Sequence, residues 1–422
     1  MSETKLVVFR KKSERRTIMS GSSGFGDAAK ELYKKLCKDE WNPYTSGMIV
    51  AFLSVMLMAW YRPWGATGAV RNWADWILYG AGIYSDVPAS IFTHGGSIIG
   101  LGFVGGAFLS ACFGNNFAFR FPPVLEMVKG VVAGTLMGIG AALAGGCNVG
   151  GFYNAIGSLS AGGFAMMAGL IGGAIIGLKY TYWEMENITW GSGGAKTIEV
   201  SFATQVVLGI IALLVMIWGA YTYTATEALT KMGGVLLLAA GLGYTMQRGR
   251  WCMIQGFREP HMTGNATMAK SVALSVVLLT IGGVIVKAGG TLDVAHYVRG
   301  TFGWGGVVGG IIFGFGAILA GGCGTGTLWR VGEGQIKLWI VVPLFGISNS
   351  LMNKWFSVSD FEGMDAYVNE GITNAGKLGT FVYMPNTFLG YGGTLAVVFL
   401  LMALWWLVAR WNEDSNKLLV EM

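Results

Sequence analysis

Residues 130–147 read GVVAGTLMGIGAALAGGC, and residues 306–323 read GVVGGIIFGFGAILAGGC. Twelve of the eighteen positions are identical without a gap. Each copy is an apolar run of helical length with glycines four apart: Gly130, Gly134 and Gly138 in the first, Gly306, Gly310 and Gly314 in the second. Such small-residue ladders let helix backbones approach closely in lipid. Each run then stops at Gly-Gly-Cys, where two glycines disfavour continuing the helix. A duplicated helix that ends in a break and a thiol points to a membrane transporter whose substrate path lies between its halves.

Composition gives the class. Of 422 residues, 53% are hydrophobic and 12% charged, against about 25% charged in soluble domains. The 16 tryptophans and 15 tyrosines suit the aromatic belts of a membrane protein. Apolar runs mark ten expected crossings, at 46–61, 96–113, 124–144, 161–179, 202–222, 231–247, 267–288, 303–320, 336–352 and 386–409. The expected fold class is therefore an all-α polytopic membrane protein. The repeated phrase falls in the third and eighth crossings. An odd number of crossings separates the copies, so the halves run in opposite senses as an inverted-topology repeat, with two re-entrant or broken-helix segments after the thiols.

Charge sets the expected orientation. The first 45 residues carry ten Lys or Arg, among them Arg10, Lys11, Lys12, Arg15 and Arg16, and Arg248, Arg250 and Arg258 lie in a later loop. The stretches 62–95 and 146–160, expected as outer loops, carry few. The positive-inside rule then puts the N-terminus in the cytoplasm of a cell whose inner membrane holds the chain. No apolar core of a signal peptide appears near the start. The expected layout is a basic cytoplasmic extension (1–45), a first transmembrane repeat (46–201), a linker crossing (202–230), a second repeat (231–385) and a C-terminal crossing and tail (386–422). The net charge of +6 is accounted for by the extension and calls for no nucleic acid.

The chemistry-bearing residues are few. Cys147 and Cys323 end equivalent breaks beside Gly146 and Gly322, with Asn148 and Thr325 just beyond. Cys252 lies beside Arg250, and nearby cations favour the thiolate. Cys112, at the end of the second crossing, is the fourth candidate, divided evenly between packing and path. Arg330 and Glu333 are three apart, a spacing that allows an ion pair on one helical face. Five cysteines without a C-x-x-C pair indicate neither a disulfide framework nor a zinc site. No phosphate-binding loop or hydrolase motif appears, so no cofactor and no catalytic residue are expected.

Several of these blocks occur in the order of a known family. The doubled LAGGC, GTGTLWRVGEG at 324–334, MQRGRWCMIQGFREP at 246–260 and FGNNFAFRFPP at 113–123 resemble the YeeE/YedE family of sulfur-compound transporters, over most of residues 45–410. The resemblance implies an hourglass-like inverted-repeat fold and a narrow path in which Cys147, Cys252 and Cys323 contact the passing substrate. The order of the two halves, and MTGNATMAK at 262–270, are similar to the YedE branch, which is associated with selenium metabolism. The expected activity is uptake of a small sulfur-containing anion, thiosulfate first and a selenium compound as the alternative. The rival chemistry is a membrane sulfurtransferase, in which a cysteine persulfide passes sulfur to a soluble TusA-like carrier protein.

Overall fold

In the computed structural model, residues 25–191, 193–293, 296–298, 301–359, 375–376 and 378–420 are described. Residues 1–24, with most of the basic extension, lie outside them. The described part of the extension up to Glu40 belongs to a unit of its own, with helix α1 (Phe25–Tyr33) and a π-helical turn, Lys34–Lys38, while Trp41 onward belongs to the membrane unit. An exposed ion pair between Lys35 and Glu31, 2.6 Å long, spans one turn of it.

The membrane unit begins with α2 (Pro43–Trp60), α3 (Ala66–Gly80), α4 (Gly95–Phe113) and α5 (Val124–Leu143). A π-helical turn, Asn148–Tyr153, runs into α6 (Asn154–Gly157), and α7 (Gly162–Asn187) completes the set. After α8 (Phe202–Ala225), the same order of long and short helices returns. It comprises α9 (Thr230–Arg248), α10 (Met253–Met262), α11 (Thr267–Ala288), α12 (Trp304–Ala320), α13 (Gly324–Gly332) and α14 (Ile336–Val358). Helix α15 (Gly390–Ser415) closes the chain.

Ten helical stretches among the described residues are long and apolar enough to cross a membrane, one at each expected crossing. The protein is an all-α polytopic membrane protein. A ribbon, Ala118–Phe121 against Lys196–Glu199, joins two loops, and Ala375–Gly376 pairs with Gly379–Thr380.

Helix packing obeys one exchange rule. The pair α5–α14 is matched by α12–α7, α2–α11 by α9–α4, and α3–α14 by α10–α7. The ladders explain these pairs. A Cβ at Gly134 would stand 2.7 Å from the Val341 carbonyl oxygen on α14, and one at Gly310 would stand 2.7 Å from the Met166 carbonyl oxygen on α7. Between the halves, α5 crosses α12 so closely that a Cβ at Gly140 would lie 2.5 Å from the Phe313 nitrogen. On the outer helices, Leu214, Val215 and Trp218 of α8 stay exposed, a face that suits lipid rather than water.

Two stretches expected as loops, 62–95 and 248–268, instead fold the short helices α3 and α10. So there are short helices at four places, not only at the two breaks after the thiols. Arg71, Asn72 and Asp75 dilute the apolar character of α3 and hide it from a search for spans. Its core face, Ala66, Ala69, Val70, Ala74 and Leu78, is nevertheless buried. In α10 the buried face is Met253, Ile254, Gly256, Phe257 and Pro260.

The close α5–α12 crossing makes a direct prediction. Gly140→Val must push backbone against backbone, and overpacking of this kind costs about 1–3 kcal/mol. The thermal midpoint of the purified protein in detergent should fall. Gly130→Ala, whose Cβ meets nothing nearer than 3.4 Å, should leave it unchanged.

Candidate functional site

The breaks after the repeated phrase are built identically. Helices α5 and α12 end with Gly145 and Gly321 in the left-handed region, at φ of 72° and 78°. Gly146 N–H then donates to Ala141 O (2.8 Å) and Gly322 N–H to Ala317 O (3.0 Å). These are Schellman ends, which glycine permits. The next residue in each copy is the thiol, and it begins a new helical turn: Gly151 N–H donates to Cys147 O, and Thr327 N–H to Cys323 O.

Cys252 occupies the same kind of place. It is the N-cap of α10, as Cys323 is of α13, Cys147 of the turn leading to α6, and Gly65 of α3. All four have extended ψ, and three carry sulfur. The first N–H groups of a helix lack intrahelical partners and carry the positive end of its dipole.

The short helices meet at a single place. Cys252 Sγ and Cys323 Sγ are 3.5 Å apart. Cys323 Sγ accepts from Gly326 N–H (3.3 Å) and lies 3.5 Å from Thr325 Oγ1. Gly324 N–H donates to Asn148 Oδ1 across the two halves (3.2 Å), and these residues hold equivalent positions after their thiols. A Cβ on Gly324 would stand 3.3 Å from Cys147 Sγ and 3.4 Å from Ala66 Cβ. The three thiols thus follow one another in the order Cys147, Cys323, Cys252, all fully buried. Asn148 Nδ2, also buried, has no hydrogen-bond partner among the described residues, which leaves one strong donor open beside the thiols.

On the Cys252 side stands a charged network. Glu333, wholly buried, accepts from Arg250 Nη1 (2.6 Å) and Gln247 Nε2 (2.8 Å) on one carboxylate oxygen and from Gln335 Nε2 (3.3 Å) on the other. Arg330 does not pair with Glu333, as their spacing suggested. Its Nη1 donates to Gly326 O (3.1 Å), and its guanidinium lies 4.1 Å from the Trp329 ring centroid. Arg250 covers the same indole at 5.5 Å. Its backbone sits in the left-handed region at φ of 49°, a cost that the Glu333 and Trp329 contacts offset.

On the Cys147 side lies a cavity of ≈ 260 Å³ whose lining includes Arg62, Arg71, His94, Gly65, Thr67 and Asn353. Gly145, Gly146 and Gly150 line it too. Thr67 Oγ1 accepts from Cys147 N–H (2.9 Å), so the cavity and the first thiol share a wall. Among the described residues, neither Arg62 nor Arg71 is in an ion pair. Burial, then the charges of Arg62 and Arg71, hold the His94 imidazole below its usual range, with Asp75 opposing. The basin is thus cationic and polar, suited to an anion.

Of the residues expected at the path, Cys147, Cys252, Cys323, Gly146, Gly322, Asn148 and Thr325 come together. Arg250 and Glu333 form the adjoining network. Cys112 lies elsewhere, in an apolar cluster with Ala111 and Phe117. Sequence reasoning missed Arg62, Arg71, His94 and Asn353. One signal was available: Trp64 precedes Arg71 by the same seven residues as Trp251 precedes Arg258.

A family model described as "Sulphur transport" matches residues 3–176 and 248–421, which include all four buried cysteines. Two relatives named "Probable transporter YedE", from Salmonella typhimurium and Escherichia coli, are 28% and 27% identical over 376 residues. That is 83% of this chain and 87% of each relative. A "Thiosulfate transporter TsuA" of Escherichia coli is 39% identical over 118 residues, 28% of this chain and 33% of that protein.

The Glu333 network predicts a coupled stability effect. Glu333→Ala and Arg250→Ala each break a buried pair, a loss of about 3–5 kcal/mol when no solvent reaches it, with the lower end fitting the partly exposed Arg250. The thermal midpoint of the double variant should fall by less than the sum of the two single losses.

Proposed function

This chain belongs to the sulphur-transport (YeeE/YedE) family of membrane transporters, and on that premise we propose that it carries a small sulfur-containing anion, thiosulfate, into the cell across the inner membrane. The observation that supports this reading is the row of three buried thiols between helix N-termini. A terminal sulfur bearing negative charge accepts S–H hydrogen bonds, each weak, and a series of weak sites lets an ion leave as readily as it enters. Asn148 Nδ2 and the positive dipole ends of the short helices meet the oxygen end. The relatives named for thiosulfate transport favour thiosulfate as the cargo, and a selenium compound is the alternative that the YedE likeness raises.

In this reading the N-terminus is cytoplasmic and residues 46–201 and 231–385 are the two inverted repeats, with 202–230 as linker crossing and 386–422 as the last crossing and tail. The cationic basin faces outward, and the Arg250–Glu333 network lies toward the cytoplasm. An anion is captured at Arg62 and Arg71, handed to Cys147, then to Cys323 and Cys252. Entry of a dianion opposes an inside-negative potential by about 2.3 kcal/mol per charge per 100 mV. Proton co-transport or consumption of the cargo inside, by a soluble sulfur carrier among other acceptors, supplies the drive.

Two outcomes test this. Labelled thiosulfate uptake into cells that lack their own transporters should fall by about tenfold or more in each of Cys147→Ala, Cys252→Ala and Cys323→Ala, at matched membrane expression. Cys112→Ala should stay near wild type. Uptake of labelled selenite without thiosulfate would move the cargo, and a persulfide on Cys252 or Cys323 with no intact substrate inside would favour sulfur transfer. The second outcome concerns pH. Burial and the basin arginines lower the affinity of His94 for a proton, and a bound anion raises it. By linkage, anion binding tightens as the outside pH falls through the imidazole range. The KM for thiosulfate should therefore decrease on acidification, and His94→Gln should flatten the slope.

A further inference from the structure

The four N-caps at the constriction differ in one respect: Gly65 lacks the side chain that Cys147, Cys252 and Cys323 carry. Packing identifies Gly65 as the counterpart of Cys252. Gly150 and Gly326 each stand three residues beyond their repeat thiol. A Cβ on Gly326 would lie 2.8 Å from Cys252 Sγ, and a Cβ on Gly65 would lie 3.9 Å from the N and Cα of Gly150. The same neighbourhood is formed twice, once with a thiol and once without.

Among the described residues, nothing calls for glycine at position 65. Its φ of −179° and ψ of 154° are extended backbone that any residue adopts. Among the described residues, an added Cβ meets no atom nearer than Tyr297 Oη at 3.8 Å, an ordinary contact. As an N-cap, serine, threonine, asparagine or aspartate would serve the helix at least as well. What the missing side chain does provide is room. Gly65, Thr67, Gly146 and Gly150 line the part of the cavity next to Cys147, and Thr67 holds the Cys147 N–H.

We propose that Gly65 is the size-selecting position of the path: its bare Cα leaves the passage from the cationic basin to Cys147 wide enough for a tetrahedral oxyanion head. The counterpart thiol at Cys252 narrows the other end, where the anion meets sulfur on both sides. The arrangement is asymmetric within a symmetric frame. Capture happens where the side chain is absent, and close thiol contact happens where it is present. This inference rests on the transport reading above.

The test is a side-chain series at one position. Gly65→Ala, Gly65→Val and Gly65→Leu are compared with wild type in proteoliposomes, with thiosulfate as the probe and Gly130→Ala as a glycine replacement elsewhere in the fold. The maximal uptake rate should fall with side-chain size, by about tenfold for Val and about a hundredfold for Leu. KM should change little, because the basin arginines are untouched, and the thermal midpoint should stay at the wild-type value. If Leu does not fold, the largest variant that does is read in its place. An unchanged rate in that variant overturns the inference while the transport reading stands. A rise in KM alone also overturns it, because position 65 would then act in anion capture and not in passage. If wild-type protein takes up no thiosulfate, the transport reading fails and this inference falls with it.

Discussion

Helix starts inside an apolar protein, whose first N–H groups have no partners within their own helix, are the constraint around which this molecule is organised. Lipid offers no hydrogen bonds, so backbone that leaves its helix there must be buried in protein or line a path. Here four short helices begin around one point, and each start directs a positive dipole end toward it. An anion is the natural partner for such an arrangement. The thiols at three of the four starts add soft, weak contacts where a sulfur atom would pass. The glycine ladders serve this centre indirectly, because only close helix contacts let both halves bring their breaks so near.

Duplication explains how the centre was assembled, and departure from symmetry explains its direction. The exchange of helix partners between halves, the identical Schellman ends and the Asn148–Gly324 hydrogen bond across the middle all follow from repeating one design. The two sides then differ in charge and bulk. Among the described residues, Arg62 and Arg71 have no carboxylate in an ion pair on the side that bears Gly65. Arg250, on the side that bears Cys252, is committed to Glu333. Arg330, on that same side, lies against the Trp329 ring and donates to Gly326 O.

Much of this was legible in the sequence. The repeat located both breaks, hydropathy located all ten spans, and position after Gly-Gly identified Cys147 and Cys323. The cationic basin was not legible, because its residues come from separate elements that only the folded chain brings together. Helix α3 was hidden for a related reason: the arginine it contributes to the basin is one of the residues that lower its hydropathy. The spacing of Arg330 and Glu333 suggested a local pair, but Glu333 at the end of α13 is reached by Arg250 and Gln247 from another part of the chain. Cys112, beside apolar neighbours at the end of α4, shows how little a lone cysteine says about function.

The central claim is that the anion is held at the convergence of the short helices, against the thiols. Selenosulfate, a thiosulfate analogue with selenium as its terminal atom, offers a direct measurement by anomalous diffraction from soaked crystals. The account predicts a selenium peak within about 4 Å, van der Waals contact, of Cys323 Sγ or one of its two neighbouring thiols. A selenium peak confined to other parts of a protein that still transports the compound would contradict it.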